Sequence, residues 1–490
     1  MTQFTKSSNQ SNFDVTRLLS VLDTEGSSSK SNEFLIDTIC SMKGSPRASF
    51  HMPGHKSRLG FVSSGGLRPG VFDLDVTELA GLDDLTEPVS LIKKLESEFA
   101  QLYGVKRTFL SLGGSSHGLI ASLMALSIKP GFVLVPRNAH RSILNGLILS
   151  GHQIVWYEPE WDNEWAQWGA VSPDSLQDVF KSQKMTECVA MVVVSPTYGG
   201  AMSNIRAVKD SLSVFGEIPL IVDEAHGAHL LPLTQDLGYP SSAVTQGADL
   251  VVHSLHKTMP GLTQTGLIHI PQESLLAAES IKASLRLVTS SSPSYPLMVS
   301  MELVARLCKD RQIGSLFEQL LLSCGQVKEA VLNSESLEFY EPGLLADPFH
   351  LLVKSKVMNS FELCEFFESK GVFVEGNIGN GTLLLVGLGT ESGDIESLAS
   401  CVSELSKVKQ GKSAGAINPT VPVRLEQVIS PREAFLSDFE IVPIGDAEGR
   451  ISAECLSPCP PGIPVVSPGA YVPSGLESSD CLVRGVRVVK

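Results

Sequence analysis

The stretch Asp249-Leu250-Val251-Val252-His253-Ser254-Leu255-His256-Lys257-Thr258 leads from an apolar strand into a polar turn that carries a lysine. A second apolar run, Ile218-Pro219-Leu220-Ile221-Val222, leads into Asp223-Glu224-Ala225-His226-Gly227. Short β-branched runs that are apolar on both faces and separated by helix-length segments predict a mostly parallel sheet covered on both sides. We therefore expect an open, wound α/β domain whose strand ends bring Lys257 and Asp223 to one edge.

The same pattern extends over much of the chain and predicts its division into domains. Further buried strands are expected at Val133–Pro136, Ile154–Trp156 and Val189–Val194, and a helix over Pro88–Tyr103. Strands such as Leu383–Val386 alternate with helices in a later, smaller α+β domain. We predict a Ser-rich N-terminal arm over 1–31, a major domain over 32–293, a small α+β domain over 294–406, a linker over 407–422 and a C-terminal domain over 423–490.

Composition excludes several classes of protein. The 490 residues are 43% hydrophobic and 19% charged, which is ordinary for a globular chain of several domains. A net charge of −15 argues against nucleic acid or an anionic membrane as partner and is compatible with a cationic substrate. The nine cysteines form no CxxC pair, and neither an export signal nor a membrane-spanning apolar stretch occurs. We expect a cytoplasmic protein.

Lys257 and Asp223 offer an amine and a carboxylate at neighbouring strand ends. Pyridoxal phosphate needs both groups, because a lysine carries it as a Schiff base and an anion beside the pyridine nitrogen keeps the ring an electron sink. The alternative is that Lys257 is a solvated loop lysine and Asp223 a helix N-cap. A third loop decides between these interpretations.

That loop is Ser111-Leu112-Gly113-Gly114-Ser115-Ser116-His117-Gly118, which opens an apolar helical stretch. Small residues let backbone amides approach an anion, hydroxyls add donors, and a helix N-terminus adds its positive dipole end, so the loop could hold a phosphate. It lacks the Walker A and G-x-G-x-x-G patterns, and a simple helix cap is the alternative. Because it should meet Lys257 and Asp223 at the same sheet edge, we favour a phosphate-bearing cofactor.

Histidines accompany these segments and leave two interpretations open. Asp223, His226 and His229 offer metal-ligand types at three-residue spacing, which would suit a metal-dependent hydrolase. No further ligand motif completes such a shell, and Lys257 would then have no task, so we predict no metal. An imidazole such as that of His140 can instead stack on a pyridine ring or donate to a phosphate.

Taken together, the motifs resemble those of the pyridoxal-phosphate-dependent ornithine/lysine/arginine decarboxylases, within the aspartate-aminotransferase fold superfamily. The resemblance runs from about residue 34 to 490. Its landmarks are Phe50–Lys56, Asp75–Leu79, Gly81–Leu85, Pro136–Ser142, Pro196–Gly200, Asp223–Gly227 and Ser254–Lys257, followed by Ser430–Phe435 and Pro460–Pro464. The chain is similar to the shorter members, which lack a receiver-like domain. The implied fold is the type I fold of these transferases, with a mostly parallel large sheet and smaller α+β domains.

The resemblance implies a role for each matching residue. Lys257 would carry pyridoxal 5'-phosphate, Asp223 would pair with its ring nitrogen, and either Lys257 or His226 would return a proton to the substrate. His140 would stack on one face of the ring, and Ala225 and His226 would line the other face. The phosphate would be held by Ser115, Ser116, Ser254 and His256. The segment Thr289–Tyr295 of a neighbouring chain would complete the site, so a homodimer or higher homo-oligomer is expected.

The implied reaction is decarboxylation of arginine, lysine or ornithine to agmatine or a diamine and CO₂, as in polyamine biosynthesis. Transamination or another reaction on pyridoxal phosphate is an alternative, as is a degenerate member without activity. Four residues depart from the usual family pattern: Cys459 replaces a tyrosine, Ala470 a glutamate, and Gly113 and His117 more typical loop residues. None of these departures touches Lys257 or Asp223, so they weaken the choice of substrate and leave the cofactor assignment intact.

Overall fold

The computed structural model describes residues 34–43, 70–126, 130–231, 241–343, 345–408, 424–458, 462–476 and 485–490. The N-terminal arm over 1–31, the Phe50–Lys56 motif, Cys459 and the linker from residue 409 onward lie outside these ranges.

Fifteen strands and fourteen α-helices are formed by the described residues. The strands are β1 Arg107–Ser111, β2 Phe132–Pro136, β3 Gln153–Tyr157, β4 Trp161–Asp162, β5 Gln167–Trp168, β6 Cys188–Val194, β7 Leu220–Asp223, β8 Leu250–Ser254, β9 Gly266–Ile270, β10 Leu337–Phe339, β11 His350–Ser355, β12 Gly376–Ile378, β13 Gly381–Leu385, β14 Phe439–Val442 and β15 Val486–Val489. The helices are α1 Leu35–Lys43, α2 Gly70–Leu74, α3 Leu91–Leu102, α4 Gly114–Met124, α5 Arg141–Ser150, α6 Gln177–Ser182, α7 Ile205–Ser213, α8 Leu255–Thr258, α9 Ala278–Val288, α10 Tyr295–Lys309, α11 Arg311–Leu332, α12 Ser360–Ser369, α13 Ser392–Leu405 and α14 Pro431–Leu436.

Seven strands form the large sheet, in the order β1-β9-β8-β7-β6-β2-β3. β9 runs antiparallel to both of its neighbours, and the other six strands are parallel to one another. Along β2 the side chains alternate between faces: Val133 and Val135 pack with α4, α5 and α9, whereas Leu134 packs with α3 and α7. Both faces are therefore covered, and the predicted α/β class is confirmed.

The small sheet is antiparallel, in the order β10-β11-β13-β12, and packs against α11 and α12, whereas α13 packs on α11. Its strands lie within the range predicted for the small domain. The C-terminal part contributes the pair β14 and β15, and its helix α14 packs on α5 of the major domain. The exact domain boundaries stay predictions. Within the described ranges, every helix is too short or too polar to cross a lipid bilayer.

Candidate active site

A cavity of about 380 Å³ opens at the carboxyl edge of the large sheet, where β1, β2, β6, β7 and β8 all end. All nine residues that the sequence predicts as cofactor-binding or catalytic line it. They are Ser115, Ser116, His140, Asp223, Ala225, His226, Ser254, His256 and Lys257. Parallel strands place their carboxyl ends on one edge, so residues far apart in sequence meet there.

Asp223 and Lys257 enter this cavity from adjacent strands. Asp223 is the last residue of β7, and Lys257 lies on α8, the single helical turn that follows β8. Asp223 is 4% exposed, and its Oδ1 accepts a hydrogen bond from the backbone N–H of Ala225 at 3.2 Å. Burial raises the pKa of Asp223, although Lys257 and the Ala225 N–H act in the opposite direction. Such a carboxylate is suited to pair with a cation that enters the cavity.

The end of the loop before α4 and the first turn of that helix form a tight cradle of small residues. Gly114 has a left-handed backbone, φ +67°, and its N–H donates to the carbonyl of Gln264 at 2.8 Å. The hydroxyl of Ser254 donates to that of Ser115 at 2.8 Å, which joins the end of β8 to the first turn of α4. A Cβ on Gly266 would lie 2.7 Å from the carbonyl carbon of Gly114 and 2.9 Å from the Ser115 nitrogen, so only glycine lets the loop sit so close. These hydroxyls, with the N-terminus of α4, suit a phosphate.

His256 flanks the same cradle. Its Nδ1 lies 3.2 Å from the carbonyl of Thr265, to which it donates. Burial lowers the pKa of His256, and Lys257 adds to this effect while the Thr265 carbonyl opposes it. A phosphate dianion beside Nε2 would favour the doubly protonated ring, which can donate from both nitrogens.

His140 forms one wall of the cavity and caps α5. Its Nδ1 accepts from the backbone N–H of Ser142 at 3.2 Å. Burial lowers the pKa of His140 to about 4, and the charges of Lys257 and Arg141 act in the same direction. A ring that stays neutral at physiological pH can stack on an aromatic cofactor without bringing a second positive charge beside Lys257.

His226 contacts Lys257 and belongs to a buried cluster that the sequence did not predict. Its Nε2 lies 3.0 Å from Nζ of Lys257, and its Nδ1 lies 3.1 Å from Nε2 of His350. Asp347 Oδ2 lies 3.4 Å from Nδ1 of His350 and 3.3 Å from Nε2 of His229, at ion-pair distance but outside hydrogen-bond angles. In the sequence, His350 is recognisable only as a lone polar residue at the start of an apolar strand.

This cluster bears on the metal-site alternative. His226 contacts Lys257, whereas His229 lies beside Asp347 and stacks on Phe349 with ring centroids 4.9 Å apart. In the part of the chain that the structure describes, no three His, Cys, Asp or Glu side chains are arranged to hold a metal ion.

The outer wall of the cavity was also missed by the sequence. It is formed by Asn138, Gln167, Trp168, Tyr198, Ile378 and Ile463, which come from the large sheet, the β4–β5 hairpin, the small sheet and the C-terminal part. Asn138 is 5% exposed, and neither atom of its side-chain amide has a hydrogen-bond partner among the described residues. Buried amides are normally paired, so Asn138 points to a ligand that supplies the missing partners. Ala470, by contrast, is fully buried outside this lining.

Comparison with known proteins agrees with this geometry. The family model "Orn/Lys/Arg decarboxylase, major domain" matches residues 35–367, and the model of the C-terminal domain of the same family matches residues 419–477. An arginine decarboxylase of Bacillus anthracis is 29% identical over 481 residues, covering 90% of this chain and 94% of that protein. An arginine decarboxylase of Bacillus subtilis is 28% identical over 444 residues, covering 86% and 88%.

Solved structures show the same fold at lower identity. The lysine decarboxylase of Francisella novicida superposes with a TM-score of 0.78 at 16% identity, covering 94% of this chain and 82% of that one. The lysine decarboxylase A of Pseudomonas aeruginosa gives a TM-score of 0.75 at 18% identity, covering 93% and 80%. The predicted family and enzyme class are confirmed: the chain is a carboxy-lyase and belongs to the Orn/Lys/Arg decarboxylase family.

Proposed function

We propose that this chain decarboxylates arginine, with lysine and then ornithine as the next candidates, by means of pyridoxal 5'-phosphate bound in the cavity. Support for the substrate comes from the two arginine decarboxylases described above, which match nearly the whole chain. Support for the cofactor comes from one observation, namely that the Lys257 amine, the Asp223 carboxylate and the phosphate cradle all line one cavity.

Each part of the cavity fits one part of the cofactor. Ser115, Ser116 and Ser254 with the start of α4 would hold the phosphate, and Asp223 the ring nitrogen. When bound, pyridoxal phosphate supplies an electron sink for the electron pair left as CO₂ departs. The buried carboxylate of Asp223 would keep that ring nitrogen protonated, because a positive charge beside the carboxylate would offset the cost of burying it.

Proton transfer falls to the pair formed by Lys257 and His226. After CO₂ leaves, the substrate carbon must gain a proton, and these two side chains line the cavity within 3.0 Å of each other. Burial lowers the pKa of His226 well below its usual range, and the charges of Lys257 and His350 add to this. His226 is therefore neutral, and its Nε2 at 3.0 Å can accept a hydrogen bond from Lys257, the geometry that proton transfer between the two requires.

The outer wall would receive the far end of the substrate. Tyr198 lines it, and the Tyr198 hydroxyl donates to Oε1 of Glu375 at 2.5 Å. Through this contact the Glu375 carboxylate lies directly behind a lining residue, where it would attract a guanidinium or ammonium group. We further propose a cytoplasmic homo-oligomer in which the neighbouring chain's Thr289–Tyr295 completes the site.

The test is release of labelled CO₂ from carboxyl-labelled arginine, lysine and ornithine by the purified full chain with added pyridoxal phosphate. We expect arginine to react fastest, and Lys257→Ala to abolish turnover because no amine remains to carry the cofactor. Borohydride should bleach the bound cofactor and fix it to Lys257.

Lys309→Ala is the matched control, because this lysine pairs with Glu98 at 3.1 Å and does not line the cavity. It should retain normal turnover. Normal activity in Lys257→Ala, or amino-group transfer in place of CO₂ release, would overturn the proposal.

A further inference from the structure

A buried row of side chains leads from Lys257 away from the cavity into the small domain. Its contacts are Lys257 Nζ to His226 Nε2 at 3.0 Å, His226 Nδ1 to His350 Nε2 at 3.1 Å and His350 Nδ1 to Asp347 Oδ2 at 3.4 Å. His226, His350 and Asp347 are each 5% exposed or less. These side chains are thus closed to solvent. Lys257, His226 and His350 lie within hydrogen-bond distance of one another in series, and the Asp347 carboxylate lies at ion-pair distance from the last imidazole.

The row is held in place by the backbone around it. Asp347 N–H donates to the carbonyl of Gly200 at 2.9 Å, and Asp347 Oδ1 accepts from the Phe349 N–H at 3.0 Å. Gly200 has φ +89°, and a Cβ there would lie 2.7 Å from Cβ of His350. The close packing leaves His350 little freedom to leave His226.

The charge at the far end fixes the direction of the hydrogen bonds. Burial alone would raise the pKa of Asp347, but the imidazoles of His229 and His350 outweigh it and hold that pKa well below its usual range. The Asp347 carboxylate therefore attracts the Nδ1–H of His350, which leaves Nε2 of His350 as an acceptor. His226 must then donate from Nδ1, and its Nε2 is left to accept from Lys257.

We propose that Asp347 and His350 are positioning residues that hold His226 as the proton acceptor for Lys257. The proposal rests on the proposed function, in which Lys257 carries the cofactor and gains and loses a proton in each turnover. It adds a role for the small domain, which supplies both residues.

The proton balance along the row is closed. A proton that leaves Lys257 Nζ binds His226 Nε2, the Nδ1 proton of His226 passes to His350 Nε2, and the resulting imidazolium lies beside the Asp347 carboxylate. The reverse sequence returns the proton to Lys257. Other ionisable groups that face this row are Asp223, His140 and His256 around Lys257, and His229 and Cys324 beside Asp347.

The test follows the visible absorption band of the full chain loaded with pyridoxal phosphate as the pH is varied around neutrality. The midpoint of the change in absorbance reports the proton on the Lys257 nitrogen. His350→Gln and Asp347→Asn should each lower this midpoint by about one pH unit, because the protonated nitrogen loses its oriented acceptor. Since the two residues act in series, the double variant should lower it no further than the larger single effect. The kcat for the best substrate should fall in each variant, with KM little changed.

His229→Gln is the matched control, because His229 is an equally buried imidazole on the other side of the same carboxylate and outside the row. It should not lower the midpoint. An unchanged midpoint in His350→Gln would overturn the relay, as would a fall of the midpoint in His229→Gln equal to that in His350→Gln. The comparison of these two variants tests the proposal even if Asp347→Asn fails to fold. Absence of the band in the unmodified chain would instead overturn the proposed function, so the two failures are distinguishable.

Discussion

At the scale of single residues, the Asp223 carboxylate makes opposite contributions to stability and to catalysis. Asp223→Asn should lower kcat at least about a hundredfold, because the charge that holds the proton on the cofactor ring is lost. The cofactor-free variant should nevertheless be more stable than the unmodified chain. Burial raises the folded-state pKa of Asp223 above its unfolded value, so ionisation of this carboxyl costs stability as the pH rises above about 4.

The measurement is the melting temperature of both cofactor-free chains across pH, together with kcat. The melting temperature of Asp223→Asn should exceed that of the unmodified chain by a margin that widens as the pH rises from about 4 toward neutrality. Asp249→Asn makes the same substitution immediately before β8, where Asp249 pairs with Lys209 at 2.5 Å outside the cavity. It should destabilise the fold and leave kcat of the folded fraction unchanged. A gap that narrows with rising pH would contradict the assignment.

At the scale of elements, the phosphate cradle depends on the close approach of the β9 backbone to the first turn of α4. In Gly266→Ala the new Cβ would lie 2.7 Å from the Gly114 carbonyl carbon and 2.9 Å from the Ser115 nitrogen. Both are backbone atoms, which cannot rotate away as a side chain can. We expect the loop to shift and the affinity for pyridoxal phosphate to fall about tenfold or more, equivalent to about 1.4 kcal/mol. Titration of the cofactor-free chain with pyridoxal phosphate, followed by absorbance, measures the effect.

Gly325→Ala provides the contrast, since a Cβ on this exposed glycine of α11 meets nothing within 4 Å. It should raise the free energy of unfolding by about 0.5–1 kcal/mol and leave cofactor affinity unchanged. Equal affinities in Gly266→Ala and the unmodified chain would show that the cradle tolerates a side chain and that its geometry does not depend on glycine.

These elements also show how far the sequence predicts the site. Apolar runs place β7 and β8, and the parallel topology then brings Asp223 and Lys257 together, so both were predictable. His350 was not, because it lies more than ninety positions beyond Lys257 on a strand of another sheet, and no local pattern states which loop that strand faces. Close backbone approaches such as that of Gly266 escape prediction for the same reason.

At the scale of the whole molecule, three parts of the chain meet at one cavity. The large sheet supplies the predicted residues, the small domain supplies Ile378, and the C-terminal part supplies Ile463. The C-terminal part reaches the cavity through Gly462, whose carbonyl accepts from the Arg141 N–H at 3.1 Å, at the start of α5. The family's C-terminal domain therefore reaches the wall that contains His140.

This contact yields a prediction for the assembled molecule. Gly462 has φ +78°, and a Cβ there would lie 2.8 Å from Cδ2 and 3.0 Å from Nε2 of His140. Gly462→Ala should therefore displace the His140 ring, shift the absorption of bound pyridoxal phosphate and lower kcat about tenfold. Gly449→Ala is the control, because Gly449 has φ +71° in the same C-terminal part with nothing within 4 Å of its Cβ position. In both variants an alanine must adopt a left-handed backbone conformation, which costs about 1 kcal/mol. If kcat falls equally in the two variants, backbone strain and not a displaced His140 ring links the C-terminal part to the active site.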